Sequence, residues 1–246
     1  MDAEEKNLGG EMTPARGKDV PRPILEAGLV FAAFWLAAYL PGDGSAMGAS
    51  LASPLHHLGM MAELLPKGLL LLYLMARSDG LAAFGGITRP RLPDLFGALA
   101  VAAGAMMAVI LPSTLLSLLS TLLGSHVPLN PLLSALARPS DPAYILVPIL
   151  ILDCLCIGYT EELFFRIYFL RRLGQAGLRP IWAGVVSVLL FASAHGAQGW
   201  LGLFMAAVLG TWFTWRRFEG ANLHELGLGH GLYDTIVLLA TLYLGT

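Results

Sequence analysis

The sequence predicts an all-α fold, a polytopic transmembrane helix bundle of about seven spans, and three observations lead there. Asp, Glu, Lys and Arg make up 13% of the 246 residues, against about 25% in an ordinary soluble domain. Hydrophobic residues reach 56% and the mean hydropathy is +0.68, more apolar surface than a water-soluble fold of this length needs. Those residues are gathered into separate stretches, each of roughly the 17 to 25 residues that cross a bilayer as a helix.

The elements follow in order. Residues 1–22 are polar and lack the apolar core of a signal peptide, so a disordered cytoplasmic tail is expected, followed by a membrane-embedded domain over 23–246. The seven stretches run over 23–40, 59–75, 95–123, 143–170, 181–197, 200–215 and 226–244; the third and fourth are long enough to require tilt or a protruding end. Breakers separate them, as ProGlyAspGly at 41–44, ThrArgProArg at 88–91, SerAspPro at 140–142 and LeuArgPro at 178–180. SerAspPro reads as a helix start, with Asp141 capping free amides and Pro142 in the first turn, where no donor is needed. Cys154 and Cys156 lie inside an apolar run on different sides of a helix and read as small apolar fillers, not as a disulfide or a zinc knuckle. The net charge of −2 brings no basic stripe that would engage nucleic acid. The partner expected from composition is the lipid bilayer.

Basic residues alternate between loops. Lys6, Arg16, Lys18 and Arg22 precede the first span, Arg77, Arg89 and Arg91 follow the second, Arg171, Arg172 and Arg179 follow the fourth, and Arg216 and Arg217 follow the sixth. The loops at 41–58 and 124–142 carry only Arg138, and the turn at 196–199 carries none. The positive-inside rule then sets the N-terminus in the cytoplasm and the C-terminus outside, in a cell (inner) membrane.

Ionisable groups inside apolar stretches mark functional sites, because hydrocarbon charges several kcal/mol for each one left unpaired. Glu161 and Glu162, then His195, then His230 and Asp234 are such groups. Helix rise sets Glu161 about 15 Å from the cytoplasmic end of its span, His195 about 22 Å up the fifth span, and His230 and Asp234 at about 12 and 18 Å in the seventh. A break near Tyr159 would instead leave the glutamates at the interface. Glu162 and Arg166 are four apart in the favourable order for a helical ion pair, and Glu161 is rotated about 100° from them. Glu162 and Arg166 are therefore expected to support the structure, and Glu161, left unpaired, to exchange protons with a substrate or water. His230 and Asp234 share a helical face, as do Phe191 and His195. Glu63 and Lys67 form another four-residue pair, read as a satisfied ion pair within the membrane. His56, His57, His126 and His224 fall in loops or at span ends, where exposed histidines are ordinary.

GluGluLeuPhePheArg (161–166), PheAlaSerAlaHis (191–195) and HisGlyLeuTyrAsp (230–234) resemble the three ordered motifs of the CAAX-protease and bacteriocin-processing family of glutamic-type intramembrane endopeptidases. Its eukaryotic members include the type II CAAX prenyl endopeptidase. The resemblance covers roughly 150–244, within an expected catalytic core at 143–244. It implies that Glu161 and His195 activate the attacking water, that His230 and Asp234 stabilise the tetrahedral oxyanion, that Glu162 and Arg166 hold the site together, and that the substrate is a membrane-associated protein or peptide. The family's last motif often ends in Asn where this chain has Asp234, and a carboxylate donates to an oxyanion only when protonated; Asp234 could instead orient His230 or ligate a metal. Glu161, His195, His230 and Asp234 could satisfy a tetrahedral Zn²⁺, yet the HisGluxxHis signature of many zinc proteases is absent. No cofactor is therefore taken as required, and glutamate-activated water is preferred. The alternatives are a non-catalytic membrane factor of the bacteriocin self-immunity type on the same scaffold and a transporter, against which the absence of an internal repeat counts. Only three of the fifteen basic residues are lysine, as in a GC-rich bacterium, where prenylation is not expected; a pocket open to the cytoplasmic half would then take a leader peptide or a C-terminal sorting segment before a prenylated tail.

Reporter fusions check the orientation. Fusions after Gly80 and Gly174 are expected to report cytoplasm, and those after Gly44 or at the C-terminus the outside; inverted signals would turn the ionisable cluster to the other face.

Overall fold

A computed structural model describes residues 23–39, 50–124, 139 and 141–244. The expected tail at 1–22, Arg138 and His126 lie outside the described residues. Among those described there is no strand, and seven helices stand where the apolar stretches predict them: α1 Pro23–Trp35, α2 Pro54–Ser78, α3 Leu92–Leu122, α4 Ala143–Gln175, α5 Pro180–Ser193, α6 Gly199–Phe218 and α7 Leu223–Tyr243. Proline punctuates as expected at Pro180, and also at Pro54, five residues before the expected start at 59; each is the first residue of its helix, where the missing N–H costs nothing. The start of α4 differs. Pro142 is itself the cap, its carbonyl accepting from the Ile145 and Leu146 amides, and no side chain caps the helix. Asp141 therefore does not serve as the cap.

Among the described residues, three helices, or four if a bent pair counts as one span, are long and apolar enough to cross a membrane. α2, α3 and α4 each suffice alone, and α5 with α6 adds a fourth if the pair is one broken span. α5 has 14 residues, about 21 Å of rise against a core of about 30 Å. α7 has length enough but carries Glu225, His230 and Asp234. The apolar windows of α2, α3 and α4 are only 17%, 22% and 33% buried, so most of their surface faces outward. In water that would be one large apolar patch; lipid is the environment that suits it.

α5 and α6 double back on each other. Gly184, early in α5, faces Thr214 and Phe218, late in α6, whereas Gly210 faces Phe191 and Val188. The turn between them runs through the 3₁₀ segment Gly196–Gln198 to Gly199, whose φ of 72° suits a residue without a Cβ. The basic end of the bundle is tied by charge: Arg172 on α4 reaches Glu26 on α1 at 2.8 Å and Asp79, just past α2, at 2.7 Å. Tyr168 donates to the same Glu26 carboxylate. Close by in sequence to the other basic loops, Asn222 caps α7 by accepting from the His224 and Glu225 amides and donates to Asp94 at the start of α3. Helix ends flanked by the basic loops are thus joined to one another. His224 is correspondingly not a free surface histidine; it bonds Tyr159 and the Thr88 carbonyl. The Glu63 and Lys67 pair forms as expected, and Lys67 also donates to the Phe34 carbonyl.

α4 and α7 touch backbone to backbone. A Cβ on Gly158 would lie 2.6 Å from the Gly227 carbonyl and the Gly231 amide, and one on Gly231 would lie 2.8 Å from the Cys154 carbonyl. Small residues spaced along both helices permit that approach, as in many membrane helix pairs. This contact carries His230 to Glu162.

Gly158→Ala and Gly231→Ala are therefore expected to overpack the seam and cost about 1–3 kcal/mol each, read as a fall in thermal stability in one detergent. Gly174→Ala, with nothing within 4 Å of its would-be Cβ, is expected to leave stability unchanged or raised.

Candidate active site

α4 does not break near Tyr159. It runs on through Glu162 into a π-helical stretch, Leu163–Phe169, every residue of which is buried. Such stretches are rare and concentrate at functional sites. Arg166 sits inside it with no exposed side-chain surface, 3.3 Å from Glu162, whose side chain is equally buried. Phe191, Phe165 and Phe213 surround the guanidinium, Phe191 at 4.3 Å from its carbon, and the Gly210 carbonyl accepts from it at 3.4 Å. The aromatic faces stabilise a cation that has lost its water.

Glu162 does more than pair with Arg166. The same Oε1 accepts from His230 Nδ1 at 2.9 Å, a contact that motif spacing within one helix does not disclose. His230 is clamped further by Phe213, whose ring stacks on it at 4.5 Å. With Nδ1 committed, Nε2 points at the two remaining acids, 3.5 Å from Asp234 and 3.8 Å from Glu161. Glu161 is the carboxylate left over: its Oε2 is buried and makes no hydrogen bond. Among the described residues, the contacts of the two glutamates thus differ: Glu162 meets Arg166 and His230, whereas Glu161 faces the His230 ring at 3.8 Å.

His195 departs from its expected place. α5 ends at Ser193, so His195 lies in the turn beyond the helix and not within a span extending to Ala197. Its Nδ1 donates to the Phe191 carbonyl at 2.8 Å and its ring packs on Phe191 at 4.7 Å. A carbonyl only accepts, so this bond fixes the Nδ1 proton and leaves Nε2 as the exchanging atom.

A cavity of about 480 Å³ gathers Glu161, His195, His230 and Asp234 on its wall. Further lining comes from the start of α2, the later half of α3 and the start of α6, including Met60, Leu64, Val109 and Met205, as well as from α1, α4 and α7. The cavity therefore occupies the half of the bundle away from the basic loops. Among the described residues no group of three or more His, Cys, Asp or Glu side chains is arranged to hold a metal ion.

The same cavity reveals a pair that the sequence reading passes over. His57, expected at an exposed span end, is 1% exposed inside α2 and hydrogen-bonds Asp153 of α4 at 2.7 Å. Asp153 is a further ionisable residue in an apolar stretch, and the rule that picks out Glu161 picks it out equally.

Comparison with known proteins gives one match. Residues 143–236 fit the family model described as "Type II CAAX prenyl endopeptidase Rce1-like". Searches of curated proteins and of solved structures gave no match. The matched segment takes in α4, α5, α6 and most of α7, hence Glu161, Glu162, Arg166, His195, His230 and Asp234, and over residues 143–236 the chain is similar to the Rce1-like type II CAAX prenyl endopeptidase family.

Proposed function

We propose that the protein is an intramembrane endopeptidase that hydrolyses a peptide bond in a membrane-associated protein or peptide, using water activated by Glu161 and His195. The observation that carries this reading is one cavity onto which α4, α7 and the turn after α5 bring a carboxylate oxygen with no hydrogen bond among the described residues, a histidine whose Nδ1 is held by a carbonyl, and a second histidine clamped by Glu162. In the reaction, Glu161 takes a proton from water as the oxygen attacks the scissile carbonyl carbon. The carbonyl π-electrons move onto the oxygen, and His230 Nε2 donates a hydrogen bond to that oxyanion. Collapse re-forms the carbonyl and breaks the C–N bond, with the proton held by Glu161 passing to the leaving amine. His195 Nε2 orients the water. Asp234, 3.5 Å from His230, holds that ring in place or, when protonated, donates beside it. Should zinc bind this cluster, it would supply Lewis-acid activation of the water.

The placement of the cavity bears on the substrate. With the basic loops cytoplasmic, the half of the bundle that holds it faces outward, so a leader or C-terminal sorting segment of an exported protein has the more direct approach than a cytoplasmic prenylated tail.

Glu161→Gln keeps size and hydrogen bonding but removes the base, and is expected to lose at least about 10²-fold in rate. Processing at wild-type speed would sink the enzyme reading and favour the non-catalytic one.

The two glutamates are expected to differ in stability. Glu162→Ala strands Arg166 as an uncompensated buried cation and should cost roughly 3–5 kcal/mol, whereas Glu161→Ala should yield a folded, inactive protein. A Glu161→Ala protein clearly less stable than Glu162→Ala in one detergent would reverse the assignment. Elemental analysis of the same preparations tests for a metal: stoichiometric zinc, lost in His195→Ala and His230→Ala, would make Glu161 a ligand or the base for metal-bound water.

A further inference from the structure

Asp153 holds an acceptor that no described residue uses. Its Oδ2 bonds His57 Nδ1 at 2.7 Å, and His57 Nε2 donates to the Leu51 carbonyl at 3.0 Å. Those two bonds account for a structural role, tethering α2 and the residues before it to α4. They leave Oδ1, which is buried and has no partner, on a side chain 2% exposed that lines the cavity. An acceptor withheld from water and from protein donors is costly unless something completes it.

The cavity dictates what can. A carboxylate oxygen in this state accepts only, so the missing group is an N–H or O–H donor. Asp153 and Glu161 are on one helix, eight residues and so about 12 Å apart, which an extended peptide covers in three to four residues at about 3.3 Å each. Between the two stations the wall is apolar, with Met60, Leu64, Cys154, Ile157, Val237 and Leu238. Such a wall suits apolar side chains, and an extended backbone passing it must find acceptors for its own amides.

We propose that Asp153, oriented by His57, is a substrate-binding residue that accepts a backbone N–H of the peptide three to four residues from the scissile bond, on the side of the cavity away from the basic loops. The proposal rests on the endopeptidase reading and sets the register in which an apolar, extended segment lies across Glu161. Asp153→Leu is the informative variant: it has nearly the same size but no acceptor, and a neutral His57 keeps its Nε2 bond to the Leu51 carbonyl.

The test screens a library of internally quenched apolar peptides with the full chain in lipid nanodiscs. The best-cleaved peptide is then remade with one backbone amide at a time replaced by an ester, which deletes a single N–H. An ester three or four residues from the cut is expected to raise KM about tenfold, the worth of a hydrogen bond to a charged group, with kcat held within about twofold. Asp153→Leu is expected to raise KM for the all-amide peptide by a similar factor and to be indifferent to that ester. A tether that served structure alone would move thermal stability and leave the ester scan flat at those positions. A flat scan on an active enzyme, or equal ester sensitivity in wild type and Asp153→Leu, overturns the proposal while the endopeptidase reading stands. Should Asp153→Leu fail to fold, the wild-type scan alone decides. Cleavage of no peptide by the wild type overturns both readings together.

Discussion

One carboxylate oxygen, Glu162 Oε1, is the point on which the site turns. It faces Arg166 at 3.3 Å and His230 at 2.9 Å, in a place where neither partner has water to fall back on. A charge buried in this way is tolerated only when its partners are held in position, and replacing such a cluster by apolar residues would often be neutral or stabilising. Its retention in a protein is then best understood through what it orients. Here it orients a ring on α7 from a residue on α4, and it does so across a seam so close that glycine alone fits at 158, 227 and 231.

The surroundings are built to keep that oxygen dry. Phe165, Phe191 and Phe213 enclose the guanidinium, and two of the three also flank His230. Phe191 carries a further duty, since its carbonyl fixes the His195 ring. The low dielectric that makes each of these contacts costly to break also strengthens each of them. Glu161, rotated to the edge of this enclosure at 12% side-chain exposure, meets the cavity together with His230.

Much of this was legible in the residues, and the parts that were not have identifiable causes. Helices appeared where prolines and charged loops bounded apolar runs, because proline at a first turn and glycine beyond a last turn act locally. The Glu162 and Arg166 pair was legible because it is a one-helix relation. Its bond to His230 was not, since 68 residues and the fold itself separate them. His57 read as a surface histidine because it follows a helix-initiating proline; its partner is 96 residues away. Asp153 stands alone in its apolar run, with no counter-charge three or four residues off to draw attention. Asp141 misled for a different reason: a good capping residue before a proline competes with the proline's own carbonyl, and the proline caps α4. Span number was the hardest to read, because 14 residues of helix followed by a turn have the same composition as one longer helix.

The walls of the cavity divide unevenly between two parts of the chain. Glu161, His195, His230 and Asp234 all fall within 143–236, the segment that matches the family, while Trp35, His57, Met60, Leu64, Val109 and Ser113 come from α1, α2 and α3, before it. The seam of α4 and α7 has no room for a new side chain, so it cannot be the surface on which lineages experiment. α2 and α3 are free of that restriction, and they stand opposite the chemistry. On the proposed endopeptidase reading, a preference for one segment over another can therefore be rewritten on one half of a vessel without touching the seam of the other, and chimeras that exchange the first three helices are the natural way to transplant it.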